Sequence, residues 1–126
     1  MASFLDTPEI DVDAEDVGSN KIFAVLSYIG VLWLIGLLAA PNSRYAKFHA
    51  NQGLVLFIME IAAEIIVAIL AAIFGALHVG IIGTLLGFVL NLAVLGCVIL
   101  GIVNAAQGKA KELPLIGGIH ILDKNI

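Results

Sequence analysis

The chain has 126 residues, of which 61% are apolar, and its mean hydropathy is +1.10. Soluble globular domains are about half apolar, so this composition excludes an ordinary soluble domain and indicates an integral membrane protein. The formal net charge is −4, and the few bases form no cluster of the kind that phosphate contacts require, which argues against nucleic acid as a partner. A chain of this length fits one domain.

The amino-terminal segment, residues 1–20, is acidic. Six of the ten acidic residues precede the first base, Lys21, and Pro8 and Gly18 interrupt the segment. This composition cannot bury enough apolar surface to fold alone, so we expect a flexible tail. An alternative role is an acidic patch that attracts cations or a basic partner.

Three apolar stretches are long enough to cross a bilayer, which requires about 20 helical residues. We expect transmembrane helices over residues 21–40, 44–77 and 80–107. Pro41 ends the first stretch, and a short link at His78 separates the second from the third. The predicted fold is therefore all-α, a bundle of three transmembrane helices in the inner membrane or in an internal membrane derived from it.

The chain after residue 107 is too short and too broken by glycine and proline to span again. We expect residues 108–126 to lie at the membrane interface or beneath the bundle. With three spans, the bases around Arg44 and Lys109 fall on one side of the membrane and Lys21 falls on the other. The positive-inside rule then predicts a cytoplasmic carboxyl terminus and an amino terminus outside.

Two acids interrupt the second apolar stretch. Glu60 and Glu64 are four residues apart, which puts them on one face of a helix. A charged carboxyl near the bilayer centre costs about 2.5–3.5 kcal/mol, so each should stay protonated or find a partner. Asn91 lies at a similar depth in the third stretch, which predicts a hydrogen bond between Glu64 and Asn91. The three residues are polar contacts between helices, a proton or cation site, or contacts to a cofactor or partner subunit.

Small residues in the third stretch predict two close-packing faces. Gly83 and Gly87 form a GxxxG pair, and Ala93, Cys97 and Gly101 recur every four residues. We expect one face to receive the second helix and the other to receive the first helix or a second copy of the chain. The single cysteine has no second cysteine to pair with, so we interpret it as a small packing residue.

The second helix opens with the motif FHANQGL at residues 48–54, in which Phe48, His49, Gln52 and Gly53 stand out at the membrane interface. This FHAxQGL pattern resembles a family of small prokaryotic membrane proteins that is related to the small subunit of the chloroplast inner-envelope import translocon. The chain is also similar to the magnetosome membrane proteins MamF and MmsF, through this motif and the segments 27–31, 76–79 and 113–116.

The resemblance implies a multi-span helical protein without an assigned catalytic activity. The magnetosome members influence mineral crystal growth, and the plastid relative takes part in protein import. No His or Cys lies at ligand spacing from His49, and no pattern indicates a nucleophile or a nucleotide cradle, so we expect neither a metal nor a cofactor.

The predicted function is that of a non-enzymatic structural or assembly subunit of a larger membrane complex or compartment. Its expected partners are the lipid bilayer and other membrane proteins or further copies of itself. The alternative is a small homo-oligomer that conducts protons or cations by means of Glu60 and Glu64.

Overall fold

The computed structural model describes residues 7–122, which are mostly helical. The elements follow the chain in the order β1 (Glu9–Ile10), α1 (Ala14–Leu26), α2 (Trp33–Ala39), α3 (Arg44–Ala76), α4 (Gly80–Ala106) and β2 (Ala110–Lys111). Within the described range, α3 and α4 are the helices long and apolar enough to cross a membrane. Two candidate spans thus take the place of the predicted three.

The first predicted span, residues 21–40, is not one helix. It divides into the end of α1, a turn over residues 27–32 and the short α2. Gly30 adopts a φ of +52° in this turn, a left-handed conformation that glycine takes without strain. Gly36 of α2 then lies directly against Phe23 of α1. The prediction is wrong because hydropathy counts apolar residues and does not detect a reversal of the chain within them.

α3 and α4 form a long antiparallel hairpin. They contain 33 and 27 residues, which corresponds to about 50 Å and about 40 Å of helix. The chain reverses at His78, whose φ is +61°. Gly83 lies against Leu70, and Gly87 lies against Val67, so the two glycines let α4 approach α3 closely.

Both ends of the described chain lie at the same end of this hairpin. β1 pairs antiparallel with β2, with Glu9 opposite Lys111 and Ile10 opposite Ala110. A strand pair cannot straddle a bilayer, so the structure does not support the predicted topology, with the amino terminus outside and the carboxyl terminus cytoplasmic. The physical reason is that the first apolar stretch turns back on itself.

The acidic segment belongs to the fold from residue 7 onward. The Thr7 hydroxyl donates to the carbonyl of Glu112 at 2.5 Å, and the Glu112 N–H donates to the carbonyl of Pro8 at 2.9 Å. The expectation of flexibility is therefore wrong for residues 7–20, while residues 1–6 lie outside the described range. Composition missed this structure because the segment folds against a partner that lies far along the chain.

The buried core lies at the same end, which we call the base. It comprises α1, α2, the first third of α3, the last turns of α4, both strands and the segment that follows β2. Its fully buried side chains include Ala24, Tyr28, Tyr45, Phe48, Leu56, Ala105, Ala110 and Leu113. Beyond the base, α3 and α4 expose mostly isoleucine, leucine, valine and phenylalanine. That pattern is typical of helices that face lipid.

Candidate functional site

The motif that opens α3 lies inside the base. His49 is fully buried, and Phe48, Asn51 and Gln52 are each 1% exposed. The first turns of α3 are enclosed by α1 and α2, by the end of α4 and by the segment after β2. A run of polar side chains that the sequence predicts at the membrane interface therefore lies at the centre of the packed end.

His49 joins three parts of the chain. Its Nε2 lies 2.8 Å from the carbonyl oxygen of Lys109, and because a carbonyl only accepts, Nε2 carries the hydrogen. In the neutral ring, Nδ1 then accepts from the hydroxyl of Tyr28 at 2.5 Å. The rings of Tyr28, Tyr45 and Phe48 pack edge-on around the imidazole, with centroids 4.9 to 5.5 Å away. Both ring nitrogens are thus used in hydrogen bonds within the protein.

Gln52 holds the start of the carboxyl-terminal segment. Its Nε2 donates to the carbonyl of Gly117 at 2.9 Å, and its Oε1 accepts from the N–H of Leu113 at 2.8 Å. Gly117 lies so close to the backbone of Leu113 that a Cβ at this position would overlap it. One amide side chain therefore satisfies a donor and an acceptor of a tight loop that is closed by a backbone hydrogen bond from the Gly117 N–H to the carbonyl of Leu113 at 3.0 Å.

Asn51 holds the end of the same segment. Its Nδ2 donates to the carbonyl of Ile119 at 2.8 Å. Its Oδ1 accepts from the N–H groups of Ile121 and Leu122, at 2.7 and 3.1 Å. Residues 113–122 consequently form an ordered cover over α3, fixed at both ends by adjacent side chains of one helical turn.

Gly53 allows the α1–α2 turn to reach α3. A Cβ at this position would overlap the carbonyl group of Ser27 and would come within 3.1 Å of the Trp33 Cβ. The glycine of the motif is therefore required by a backbone contact between elements that are far apart in the sequence.

One of the two small-residue faces of α4 receives the turn that follows α1. Gly101 lies against the ring of Tyr28, and a Cβ there would overlap ring atoms. One turn later, the carbonyl of Ala105 accepts from the hydroxyl of Tyr45 at 2.5 Å. The face that carries Gly83 and Gly87 receives α3, as described above.

Ala93 and Cys97 belong to the same helix face as Gly101 but lie farther from the base. They line an apolar groove of about 580 Å³ between α4 and the loop that contains Pro114 and Leu115. The Cys97 side chain is partly buried in this groove.

Asp16 ties α1 to the start of α3. Its carboxylate accepts from the hydroxyl of Ser43, from the N–H of Tyr45 at 3.1 Å and from Nδ2 of Asn20 at 2.8 Å. Partial burial raises the pKa of Asp16, but these hydrogen bonds and one from the Arg44 N–H outweigh it and hold the pKa below the usual 3.8. An anion at a helix N-terminus is also favoured by the helix dipole.

The three polar residues predicted deep in the membrane do not come together. Glu60 and Glu64 line an open groove of about 470 Å³ on the outside of α3. Asn91 lies in a different groove and donates to the carbonyl of Gly87, in its own helix, at 3.0 Å. The predicted hydrogen bond between Glu64 and Asn91 is wrong because equal depth does not fix rotation. Ala63 is the buried residue of this turn, and Glu64 lies about 100° farther around the helix.

Comparison with known proteins identifies the family. Residues 18–122 match the model of the Magnetosome magnetite crystal formation protein family. The chain belongs to this family. The predicted resemblance to MamF and MmsF is therefore confirmed.

Three relatives in this magnetosome family cover most of the chain. Magnetosome protein MamF of Paramagnetospirillum magneticum is 33% identical over 98 residues, which cover 78% of this chain and 79% of the relative. MamF of Magnetospirillum gryphiswaldense is 32% identical over 114 residues, covering 88% and 94%. MmsF of P. magneticum is 33% identical over 100 residues, covering 79% and 84%. No solved structure matches the chain.

Sequence reasoning missed how the motif of this magnetosome-family protein is used. The partners of His49, Asn51 and Gln52 are mostly backbone groups of residues 109–122, and no sequence pattern marks a backbone group as a partner. Nothing in the sequence distinguishes Asp16 from the other acidic residues of the amino-terminal segment. One signal was present: three polar residues followed by a glycine within a single helical turn indicate a place where other chain segments approach closely.

Proposed function

We propose that this protein is a non-enzymatic structural or assembly component of a magnetosome membrane and that it contributes to magnetite crystal formation. The family match over residues 18–122 carries the proposal. The geometry of the base supports it, because the polar groups of the motif are engaged in hydrogen bonds that hold the chain together. The motif serves in this proposal as a structural centre.

The proposed topology has two spans, α3 and α4, with the base on one side. No Lys or Arg occurs between Lys47 and Lys109. The Lys and Arg residues within the described range all lie in the base or at its edge: Lys21, Arg44, Lys47, Lys109 and Lys111. The positive-inside rule therefore favours a cytoplasmic base, with the hairpin tip at His78 on the luminal side of a magnetosome.

Expression of the chain in P. magneticum cells that lack their own MamF and MmsF tests this role. We expect the protein to co-purify with magnetosomes and to shift magnetite crystal size, measured by electron microscopy, toward that of the parent strain. Re-expression of the strain's own MamF is the positive control. If that control restores the crystals while this chain reaches the magnetosome membrane without any effect, the proposed role is wrong.

A second candidate is a homo-oligomer that conducts protons or cations. It is favoured by the position of Glu60 and Glu64, which lie on the outer surface of α3 within an otherwise apolar stretch. Carboxyls that face lipid are costly, so a second copy packed on this groove would stabilise them and would gather the carboxyls at one interface. Dye-loaded proteoliposomes test the idea: flux through the wild type that is lost in Glu60→Gln/Glu64→Gln supports it, and an equal flux in both removes it.

A further inference from the structure

The molecule is wider at one end than at the other. In the base, α1 and α2 lie beside α3, and α1 also lies beside α4. The turn between α1 and α2 reaches α3 at Gly53, where Ser27 and Trp33 make contact. Beyond Gly53, the segment after β2 still lies beside α3 as far as Ala62. Farther from the base, α3 and α4 are the elements of the described chain that continue.

The part of the hairpin beyond Gly53 is long enough to fill the hydrocarbon core. About 35 Å of α3 lies beyond Gly53, compared with a core thickness of about 30 Å. The α1–α2 pair consequently lies at the level of the headgroups and upper acyl chains of a single leaflet. α2 contains seven residues, or about 10 Å of helix, so it cannot cross.

The outer surface of the α1–α2 pair exposes large apolar side chains. Ile22, Val31 and Leu38 are 60%, 52% and 72% exposed, and no other described part of the chain covers them. α1 is polar up to Lys21 and apolar from Ile22 onward, so it enters the apolar layer partway along its length. These features fit contact with the acyl chains of the adjoining leaflet.

Part of the backbone of the turn is paired within the protein. The N–H of Ile29 donates to the carbonyl of Leu26 at 3.0 Å, and the N–H of Leu32 donates to the carbonyl of Ile29 at 3.0 Å. Pairing within the protein lowers the cost of placing these two N–H groups among acyl chains.

We propose that the chain is a one-sided membrane wedge, which expands the leaflet that holds the α1–α2 pair and prefers membranes that are convex on that side. Insertion of additional helices into one leaflet increases its area relative to the other, and shallow helices of this kind respond to curvature. In a vesicle inside a cell, the convex outer leaflet is the cytoplasmic one. That is the side favoured for the base by the distribution of Lys and Arg, although the wedge itself rests on shape and not on the role in magnetite formation.

The test uses the purified full-length chain, fluorescently labelled and reconstituted into phosphatidylethanolamine–phosphatidylglycerol vesicles that range from about 50 to about 200 nm in diameter. Single-vesicle fluorescence gives the protein density as a function of diameter, and protease treatment shows which side carries the base. We expect several-fold enrichment on the smallest vesicles with the base outward. We also expect cryo-electron microscopy to show a falling mean diameter as the protein-to-lipid ratio rises.

A matched pair of variants separates shape from general hydrophobicity. Ile22→Ser/Leu38→Ser makes the broad end less apolar, and Leu77→Ser/Ile81→Ser changes two residues of similar exposure, 63% and 67%, at the narrow end. The first variant should lose most of the size preference and the second should keep it, with circular dichroism confirming the helical content of both. A wild type without size preference, or an equal loss in the two variants, overturns the proposal.

Discussion

Replacing His49 by phenylalanine isolates the hydrogen bonds at the centre of the base. The new ring can occupy the edge-on site among three aromatic rings, so packing changes little. The hydroxyl of Tyr28 and the carbonyl of Lys109 each lose their partner on His49. A buried polar group left without a partner costs about 1–3 kcal/mol, so His49→Phe should lower the free energy of unfolding by about 2–6 kcal/mol.

A double-mutant cycle with Tyr28→Phe tests that reasoning. Tyr28→Phe alone leaves Nδ1 of His49 without a hydrogen-bond donor. The double variant removes both members of that hydrogen bond and leaves only the Lys109 carbonyl without its partner. The two changes should therefore be less than additive, with a coupling energy of about 2–6 kcal/mol. Trp33 is the only tryptophan and lies in the base. Its fluorescence in detergent micelles during denaturant titration reports unfolding of this end.

Two results would refute the account of the site. Additive losses in the double variant would mean that Tyr28 and His49 do not share a hydrogen bond. A His49→Phe protein within about 0.5 kcal/mol of the wild type would mean that the groups around the ring are satisfied in another way.

Three further predictions concern the contacts that hold the base together. Because the folded pKa of Asp16 lies below 3.8, its contribution to stability is present above that pH and is lost as the pH falls through the folded pKa; Asp16→Asn should remove this pH dependence in unfolding titrations and cost about 1 kcal/mol at neutral pH. Gly101→Ala should destabilise the base because the new Cβ overlaps a tyrosine ring. Gly96→Ala, on the same helix with open space around it, should be neutral or stabilising by up to about 1 kcal/mol in the same titrations. Gln52→Leu should release the carboxyl-terminal cover and speed its cleavage by added protease, whereas Gln107→Leu, at an exposed position, should leave cleavage unchanged.

The long hairpin was predictable because its determinants are local. The predicted helices at 44–77 and 80–107 agree with α3 and α4 to within a residue at each end. Continuous apolar runs with a break near His78 are sufficient to define two antiparallel helices of this length.

The base was not predictable because its determinants are distant in the sequence. Residues 21–40 are apolar enough to span, and only Gly30 and Gly36 hint that the chain turns back within them. Asp16 finds its partners at the start of α3, and Gln52 finds its own after β2. A composition or periodicity argument evaluates neighbouring residues and cannot pair segments so far apart.

The central proposal is that the first apolar stretch turns back, so that both ends of the described range, residues 7–122, lie on one side of the membrane. Single cysteines at Glu15, His78 and Lys109, introduced into a Cys97→Ser background, test it directly by labelling with a membrane-impermeant maleimide in sealed vesicles of known orientation. We predict that positions 15 and 109 react from the same side and position 78 from the other. Labelling of positions 15 and 109 from opposite sides would contradict the base, the two-span topology and the wedge together.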